Sequence, residues 1–372
     1  MRILQVGKFY PIRGGVEKVM YDLMEGLSSK GIACDMLCAS TEDYPAGIYP
    51  LNPYANLIVV ATKIKAAATM LAPDMIGKLR KIAKDYDIIH IHHPDPMATL
   101  ALFLSGYKGK LVLHWHSDIL KQKTLLKLYK PLQNWLIKRA DIIVGTTPIY
   151  VAQSKFLQKF QDKVDYIPIG INPISADKLP IESLRNKYKD KTIVFSLGRL
   201  VEYKGYEYLI KAMEFLDDSY HLIIGGTGPL DSELKELIAN KNLGHKVELL
   251  GFVQDEDVPT YFAACDIFCL SSILKTEAFA IVQIEAMSCG KPVVSTNIPE
   301  SGVAWVNKNN VSGLVVDIEN GAEIAQAVQA IMLDRETYDR FSEGSYQRFQ
   351  ENFTLEKMVD KSLQIYNKIL GI

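Results

Sequence analysis

Short apolar runs and amphipathic runs alternate along almost the whole chain of 372 residues, and they do so in two separate sets. The first set has strand-like runs at 3–6, 33–39, 88–92, 111–116 and 142–145, with a helical pattern over 15–29. The second has strand-like runs at 193–197, 221–224, 247–250, 267–270, 293–295 and 313–316. Helical patterns at 205–216, 230–240 and 279–289 separate them. Strands that alternate with helices predict parallel sheets covered on both faces. The chain is too long for one ordinary core and suits two domains, so the expected fold class is α/β with two doubly wound units. The boundary falls at Tyr166-Ile167-Pro168-Ile169-Gly170-Ile171-Asn172-Pro173, where two prolines and a glycine interrupt any regular element. The units are thus expected at 1–170 and 171–354, and 355–372 forms a last helix with apolar residues at helical spacing.

A net charge of −1 hides an asymmetry: residues 1–170 carry +8 and the rest −9, so the two halves suit different partners. The start Met1-Arg2-Ile3-Leu4-Gln5-Val6-Gly7 is too short and too lightly apolar for a signal peptide and reads as a first strand. With no run long enough to span a bilayer, a cytoplasmic protein is expected. The five cysteines imply no disulfide framework. Cys34/Cys38 and Cys265/Cys269 each fall on one strand face, where buried thiols are favoured over a metal site.

In doubly wound folds ligands bind beyond the carboxyl ends of the strands. The segment 276–285 lies there, with Glu277 and Glu285 eight residues apart at the start of a helix. Such acids either serve as ordinary helix-start and solvated residues or accept hydrogen bonds from sugar hydroxyls, while the helix start favours a phosphate. About 12 Å of helical rise over eight residues would suit a nucleotide sugar. Arg199 and Lys204 share the loop 198–205 after a strand, and are either solvated or a metal-free diphosphate site. Gly225-Gly226-Thr227-Gly228 lacks the G-x-G-x-x-G spacing, which disfavours a dinucleotide dehydrogenase. Asp255-Glu256-Asp257 has a D-x-D form, yet Asp255 reads as a helix N-cap.

Five of the seven histidines crowd into His90, His92, His93, His114 and His116 at strand ends. They are either structural or face the cleft, His116 foremost, and no carboxylate or thiol pattern accompanies them to make a metal site. Gly14-Gly15 opens the first strand-to-helix turn and allows close approach of a ligand. From 121 to 139 there are six cations, Lys121, Lys123, Lys127, Lys130, Lys138 and Arg139, and no acid. Leucines and Trp135 interleave with them, so the stretch suits either an anionic membrane face or a helix with its apolar side in the core. Pro131 is expected to kink or divide it.

Taken in order, Gly14-Gly15, the His116 segment, Ile167-Pro168-Ile169-Gly170-Ile171, Gly198-Arg199-Leu200 to Lys204-Gly205, Gly226-Thr227-Gly228-Pro229, Leu250-Gly251-Phe252-Val253 and Glu277 to Val294 resemble the retaining family 4 glycosyltransferases. The resemblance covers nearly the whole chain and implies the GT-B architecture, two Rossmann-like domains facing a central cleft. It implies that 1–170 binds the acceptor, that 171–354 binds the nucleotide-sugar donor, and that the helix 355–372 crosses back to the first domain. Arg199 and Lys204 would neutralise the donor diphosphate, Glu285 would hold the ribose and Glu277 the donor sugar. Val253 and the backbone of Phe279, Ala280, Ile281 and Val282 complete the donor set. Gly15 would approach the donor phosphate and the acceptor, and His116 would line the sugar and position the acceptor. The family commonly has glycine where this chain has Ala278 and Ala280.

The resemblance further implies a hexosyltransferase that needs neither metal nor cofactor. The expected donor is GDP-mannose, then a UDP-sugar, and the acceptor a polyprenyl-linked saccharide of bacterial surface polysaccharide such as O-antigen lipopolysaccharide. The enzyme would sit on the inner face of the plasma membrane, with no nucleic-acid partner. Transfer to a soluble acceptor and non-catalytic nucleotide-sugar binding are the other readings.

Overall fold

The computed structural model describes residues 1–12, 14–41, 44–66, 69–119 and 123–372, with 65, 66, 69, 70 and 123–126 described by backbone alone. Arg13, next to the Gly14-Gly15 turn, and Lys121, in the basic stretch, lie outside the described residues. Two compact units form, Met1–Gly170 with Leu355–Ile372, and Ile171–Thr354.

The first unit contains β1 (Arg2–Tyr10), β2 (Ala33–Ser40), β3 (Gly47–Asn52), β4 (Ala55–Val60), β5 (Ile64–Ala66), β6 (Thr69–Leu71), β7 (Ile88–His93), β8 (Lys110–Trp115), β9 (Ile142–Gly145) and β10 (Val164–Tyr166). Eight of these form one sheet in the order β10-β9-β8-β7-β1-β2-β4-β3, while β5 and β6 pair as a separate hairpin. The sheet is parallel except at its edge, where β3 runs antiparallel to β4. Chain order reverses between β1 and β7, the switch point at which such sheets open a crevice. In register, Gln5 faces His90, His92 faces His114 and His93 faces Trp115. Alternation therefore puts Gln5, His90, His92 and His114 on one face, His93 and Trp115 on the other.

The helix Leu355–Leu370 covers the Gln5 face beside the helix Gly15–Ser29. Gly26 makes that approach possible, since a methyl there would meet the Val359 side chain at 2.5 Å. Lys30 pairs with Asp360 at 2.6 Å, and Val359, Ile365 and Tyr366 are buried.

The second unit has a six-stranded parallel sheet, β11 (Thr192–Leu197), β12 (Tyr220–Gly225), β13 (Val247–Gly251), β14 (Ile267–Leu270), β15 (Val293–Thr296) and β16 (Gly313–Val316). Its order is β13-β12-β11-β14-β15-β16, so the switch falls between β11 and β14. One core joins Val194, Leu209, Leu222, Ile267, Val294 and Ile324. Cys34, Cys38, Cys265 and Cys269 are buried thiols, and burial pushes the Cys34 and Cys265 pKa values up to about 12.

Pro131 lies inside the single helix Lys123–Arg139, so of the two outcomes expected of it, division does not occur. Two local expectations are corrected. Asp255 is not an N-cap: residues 254–257 form a turn in which the Asp257 and Val258 N–H groups bond the Gln254 carbonyl. The helix begins later, at Val258, where Pro259 suits its first turn. The helix expected over 279–289 spans only Ile281–Ser288, so helical rise does not set the separation of Glu277 and Glu285. Among the described residues no helix is long and apolar enough to cross a membrane.

Candidate active site

Beyond the last residues of β11 and β12 the chain stays zipped. Gly198 N–H donates to Gly225 O at 3.0 Å and Leu200 N–H to Thr227 O at 2.9 Å. Gly226 is required there, because it holds φ +129° and a side chain would run into the Gly198 carbonyl. The 198–205 loop is also stitched to the loop after β14. Ile273 N–H donates to Tyr203 O at 2.8 Å and Ser271 Oγ to Lys204 O at 2.9 Å, while Gly205, at φ +62°, lies against the Ser271 carbonyl.

This stitching across the switch point delivers the central feature of the unit. Lys204 Nζ meets Glu277 Oε2 at 2.5 Å, and Ser272 Oγ donates to the same carboxylate oxygen at 3.1 Å. Both charged side chains are nearly buried, with 10% and 12% exposure. Burial alone lowers an ammonium pKa, but Glu277, Tyr206 and Tyr203 outweigh it and hold Lys204 above its ordinary value. Arg199 stands exposed on the same loop; burial raises the pKa of Tyr203, and Lys204 and Arg199 both oppose that rise. A pair that is already dry offers a cation to an anionic group and a carboxylate to hydroxyls with little further desolvation.

Glu277 is held by its backbone as well, since Ser301 Oγ donates to its carbonyl and Gly302 N–H donates to Ala278 O at 3.0 Å. Ala280 then turns the chain at φ +62° and ψ 82° into the helix Ile281–Ser288, without a side-chain cap. The Gln283 N–H is bonded to Ala280 O at 3.0 Å, which leaves the Ile281 and Val282 N–H groups of the first turn for a ligand. Gln283 Nε2 donates to Phe279 O at 3.0 Å, Glu285 lies half-buried on the helix, and Val253 packs beside Gly225. An L-residue in the left-handed region is strained by about 1–2 kcal/mol. Ala280→Gly is therefore expected to raise stability by about 1 kcal/mol in chemical denaturation. Unchanged or lower stability would show that the methyl, 6% exposed, packs well enough to offset the strain.

In the first unit Gly14 is the extended N-cap of the helix Gly15–Ser29, and Gly15 is exposed in its first turn. Glu17 lies buried one turn along, its pKa raised by burial although Lys8 opposes the shift. Asp95 draws β1 to β7: its Oδ2 accepts from Lys8 N–H at 2.5 Å, and its Oδ1 caps the helix Pro96–Ser105 through Ala98 N–H at 2.9 Å. Sequence reasoning passed over Asp95, although Asp-Pro before an apolar run is an N-cap signal.

His116 follows β8 directly and is 5% exposed, whereas His90, His92, His93 and His114 are at 0–1%. Behind it Trp115 Nε1–H and Ser154 Oγ–H both donate to Asp118 Oδ1 at 2.8 Å, which fixes the turn. His92 Nδ1 and His116 Nε2 are 2.8 Å apart. Burial holds all five histidines below the ordinary range, His93 and His114 at about 3, so they are neutral. Nitrogens of His90, His92 and His114 come within 4.8 Å of one another. Their rings, however, lie only 11–27° from parallel, so the lone pairs run side by side and do not meet at the about 2.0–2.1 Å of a Zn–N bond.

The structure thus puts Arg199, Lys204, Val253, Glu277, Phe279 and Ala280 on loops of the second unit and Ile281, Val282 and Glu285 on the helix Ile281–Ser288, and places Gly15 and His116 in the first unit. Two parallel-sheet Rossmann-like units define the GT-B class of fold. With sucrose-phosphate synthase from Thermosynechococcus elongatus the chain superposes at a TM-score of 0.82 over 100% of both chains, at 20% identity. Residues 13–174 match the family Glycosyltransferase Family 4 and residues 180–348 match Glycosyl transferases group 1. The O-antigen chain mannosyltransferase C of Escherichia coli is 32% identical over 100% of this chain and 99% of its own. The D-rhamnosyltransferase WbpZ of Pseudomonas aeruginosa is 30% identical over 95% and 92%. The chain belongs to the group 1 glycosyl transferases.

Proposed function

We propose that the protein transfers a hexose from a nucleotide sugar, with retention, to a lipid-linked saccharide during synthesis of a bacterial surface polysaccharide such as O-antigen. The observation that carries this reading is the dry Lys204–Glu277 pair at the mouth of an uncapped helix. A diphosphate replaces Glu277 as the partner of Lys204, with Arg199 and the N–H groups of Ile281 and Val282 supplying the other donors. Glu277, once released, accepts from sugar hydroxyls, and Glu285 accepts from the ribose. The cations stabilise the charge that grows on the departing diphosphate, so the site calls for no resident metal or cofactor. Acceptor attack from the face that the diphosphate leaves needs positioning rather than a covalent nucleophile. Gly15 and His116 belong to that positioning. Mannose on GDP is the first choice of donor, since one relative is a mannosyltransferase by name, and UDP-sugars come next.

Thermal-shift measurements with UDP, GDP, dTDP and their sugars, with and without EDTA, test the donor site. One nucleotide should raise the melting temperature selectively, and EDTA should leave that shift unchanged. Binding without transfer to any acceptor would favour a non-catalytic nucleotide-sugar protein.

The lipid side of the proposal rests on the surface of the first unit. Leu100, Phe103 and Leu104 are exposed on the helix Pro96–Ser105, and Leu128 is 79% exposed on the helix Lys123–Arg139. Phe103 and Trp135 meet edge to face at 4.9 Å, with Lys127, Lys130 and Lys138 exposed nearby in sequence. The stretch divides its apolar residues, for Tyr129, Leu136 and Ile137 are buried in the core. Apolar side chains among cations suit the inner leaflet of a plasma membrane and support the reading that the enzyme works on its cytoplasmic side. The protein is expected to sediment with anionic liposomes, and Phe103→Ser/Leu128→Ser to weaken this at least about tenfold, each buried apolar side chain contributing about 1.5–3 kcal/mol. Indifference to liposomes, with full activity on water-soluble acceptors, would leave a soluble-acceptor transferase.

A further inference from the structure

Four buried side chains run in series from the chain's last helix to His116. Tyr366 lies 2.6 Å from His90 Nδ1 through its hydroxyl, and Gln5 Nε2–H donates to that hydroxyl at 3.4 Å. Gln5 Oε1 lies 2.8 Å from His92 Nε2, and His92 Nδ1 lies 2.8 Å from His116 Nε2. A neutral imidazole has one N–H and one lone pair, so the state of one nitrogen dictates the other. The amide oxygen of Gln5 can only accept, so His92 carries its proton on Nε2. Nδ1 of His92 is then a lone pair, and His116 must donate to it from its own Nε2. His116 is left with a lone pair on Nδ1, which has no hydrogen-bond partner among the described residues.

We propose that Gln5 and His92, oriented from the carboxy-terminal helix by Tyr366, are positioning residues that hold His116 as a hydrogen-bond acceptor at Nδ1, set to receive a hydroxyl of the sugar or of the acceptor. The two ends of the chain are thereby joined to one ring: Gln5 lies on β1 and Tyr366 on the last helix, 361 residues apart. An amide turned end for end would invert each step and make His116 Nδ1 a donor, which would favour a carbonyl or phosphate oxygen instead. What opposes this is the Tyr366 hydroxyl wherever His90 holds its proton on Nε2: the hydroxyl proton then goes to His90 Nδ1 and its oxygen accepts from Gln5. Cys34 Sγ, 3.7 Å from Gln5 Nε2, accepts from the same group.

The consequence for turnover rests on the reading of His116 as a sugar-site residue, whereas the tautomer can be measured without any activity. Long-range ¹H–¹⁵N spectra of the full chain labelled with ¹⁵N-histidine report which nitrogen of each ring is protonated, with assignment from His92→Asn and His116→Asn. The expected result is protonated Nε2 and bare Nδ1 on both His92 and His116. A protonated Nδ1 on His116 would overturn the proposal. In Gln5→Glu, where both oxygens accept, the same tautomers should persist, while Gln5→Leu and Tyr366→Phe should give mixed tautomers at His116. With the natural substrates these two variants should lose about fivefold to tenfold in kcat/KM, the scale of one neutral hydrogen bond, and Gln5→Glu should lose less. Unaltered tautomers in Gln5→Leu would also overturn the relay. Mixed tautomers with unaltered kcat/KM would leave the relay standing and remove His116 from the sugar site.

Discussion

Lys204→Ala is expected to lower kcat about 100-fold or more and, separately, to destabilise the second unit by about 3 kcal/mol. The first figure is the scale of losing one buried donor that stabilises charge on a leaving group. The second is the scale of leaving a buried carboxylate unpaired, since among the described residues the Glu277 side chain would retain only Ser272 Oγ–H at 3.1 Å. The effects separate in the double variant Lys204→Met/Glu277→Gln. Two neutral side chains of similar volume fill the space, so stability returns while turnover does not. Arg199 is exposed, and Arg199→Ala is expected to lower turnover while changing stability by less than about 0.5 kcal/mol. Near-normal turnover in both Lys204→Ala and Arg199→Ala would remove the diphosphate site from this loop.

The histidine stack predicts an equally large response to acid. Folded His93 and His114 bind a proton only near pH 3, whereas in the unfolded chain they do so near the ordinary 6.5. As pH falls below about 6.5 the unfolded state therefore takes up protons that the folded state refuses, and stability is lost progressively until about pH 3. Between pH 7.5 and pH 5 each of the two costs about 2 kcal/mol, or about 4 kcal/mol together. His90, His92 and His116 shift in the same direction and add to this. Urea denaturation of the first unit's signal at both pH values measures the loss. His114→Gln, which cannot titrate, should reduce the pH dependence by about half of that sum, and an unaltered slope would show that other groups govern the acid response.

The strands of both sheets are readable because each is a short apolar run between turn residues, and a strand buried on both faces tolerates little else. The helix before Glu285 is less readable. Its period continues back to residue 279, yet Ala280 takes a left-handed conformation and helix begins only at Ile281. Local pattern does not disclose that reversal, because the bonds that hold the preceding loop, from Ser301 and Gly302, come from more than 20 residues away. Asp255 fails as a cap for a related reason, since the turn closed by Gln254 intervenes.

By itself, then, the order of residues determined the alternation of strands and helices, the interruption near Pro168 and Pro173, and the identity of the charged residues beyond the strand ends. These follow from backbone and side-chain periodicity, which are local. Tertiary structure alone decided that Lys204 and Glu277, 73 residues apart, neutralise each other out of water, because parallel pairing of β11 with β14 brings their two loops together. It likewise decided that five histidines stay neutral, and that Tyr366 reaches Gln5. Burial and hydrogen-bond partnership depend on which surfaces meet, and that information is distributed over the whole sheet rather than carried by any one segment.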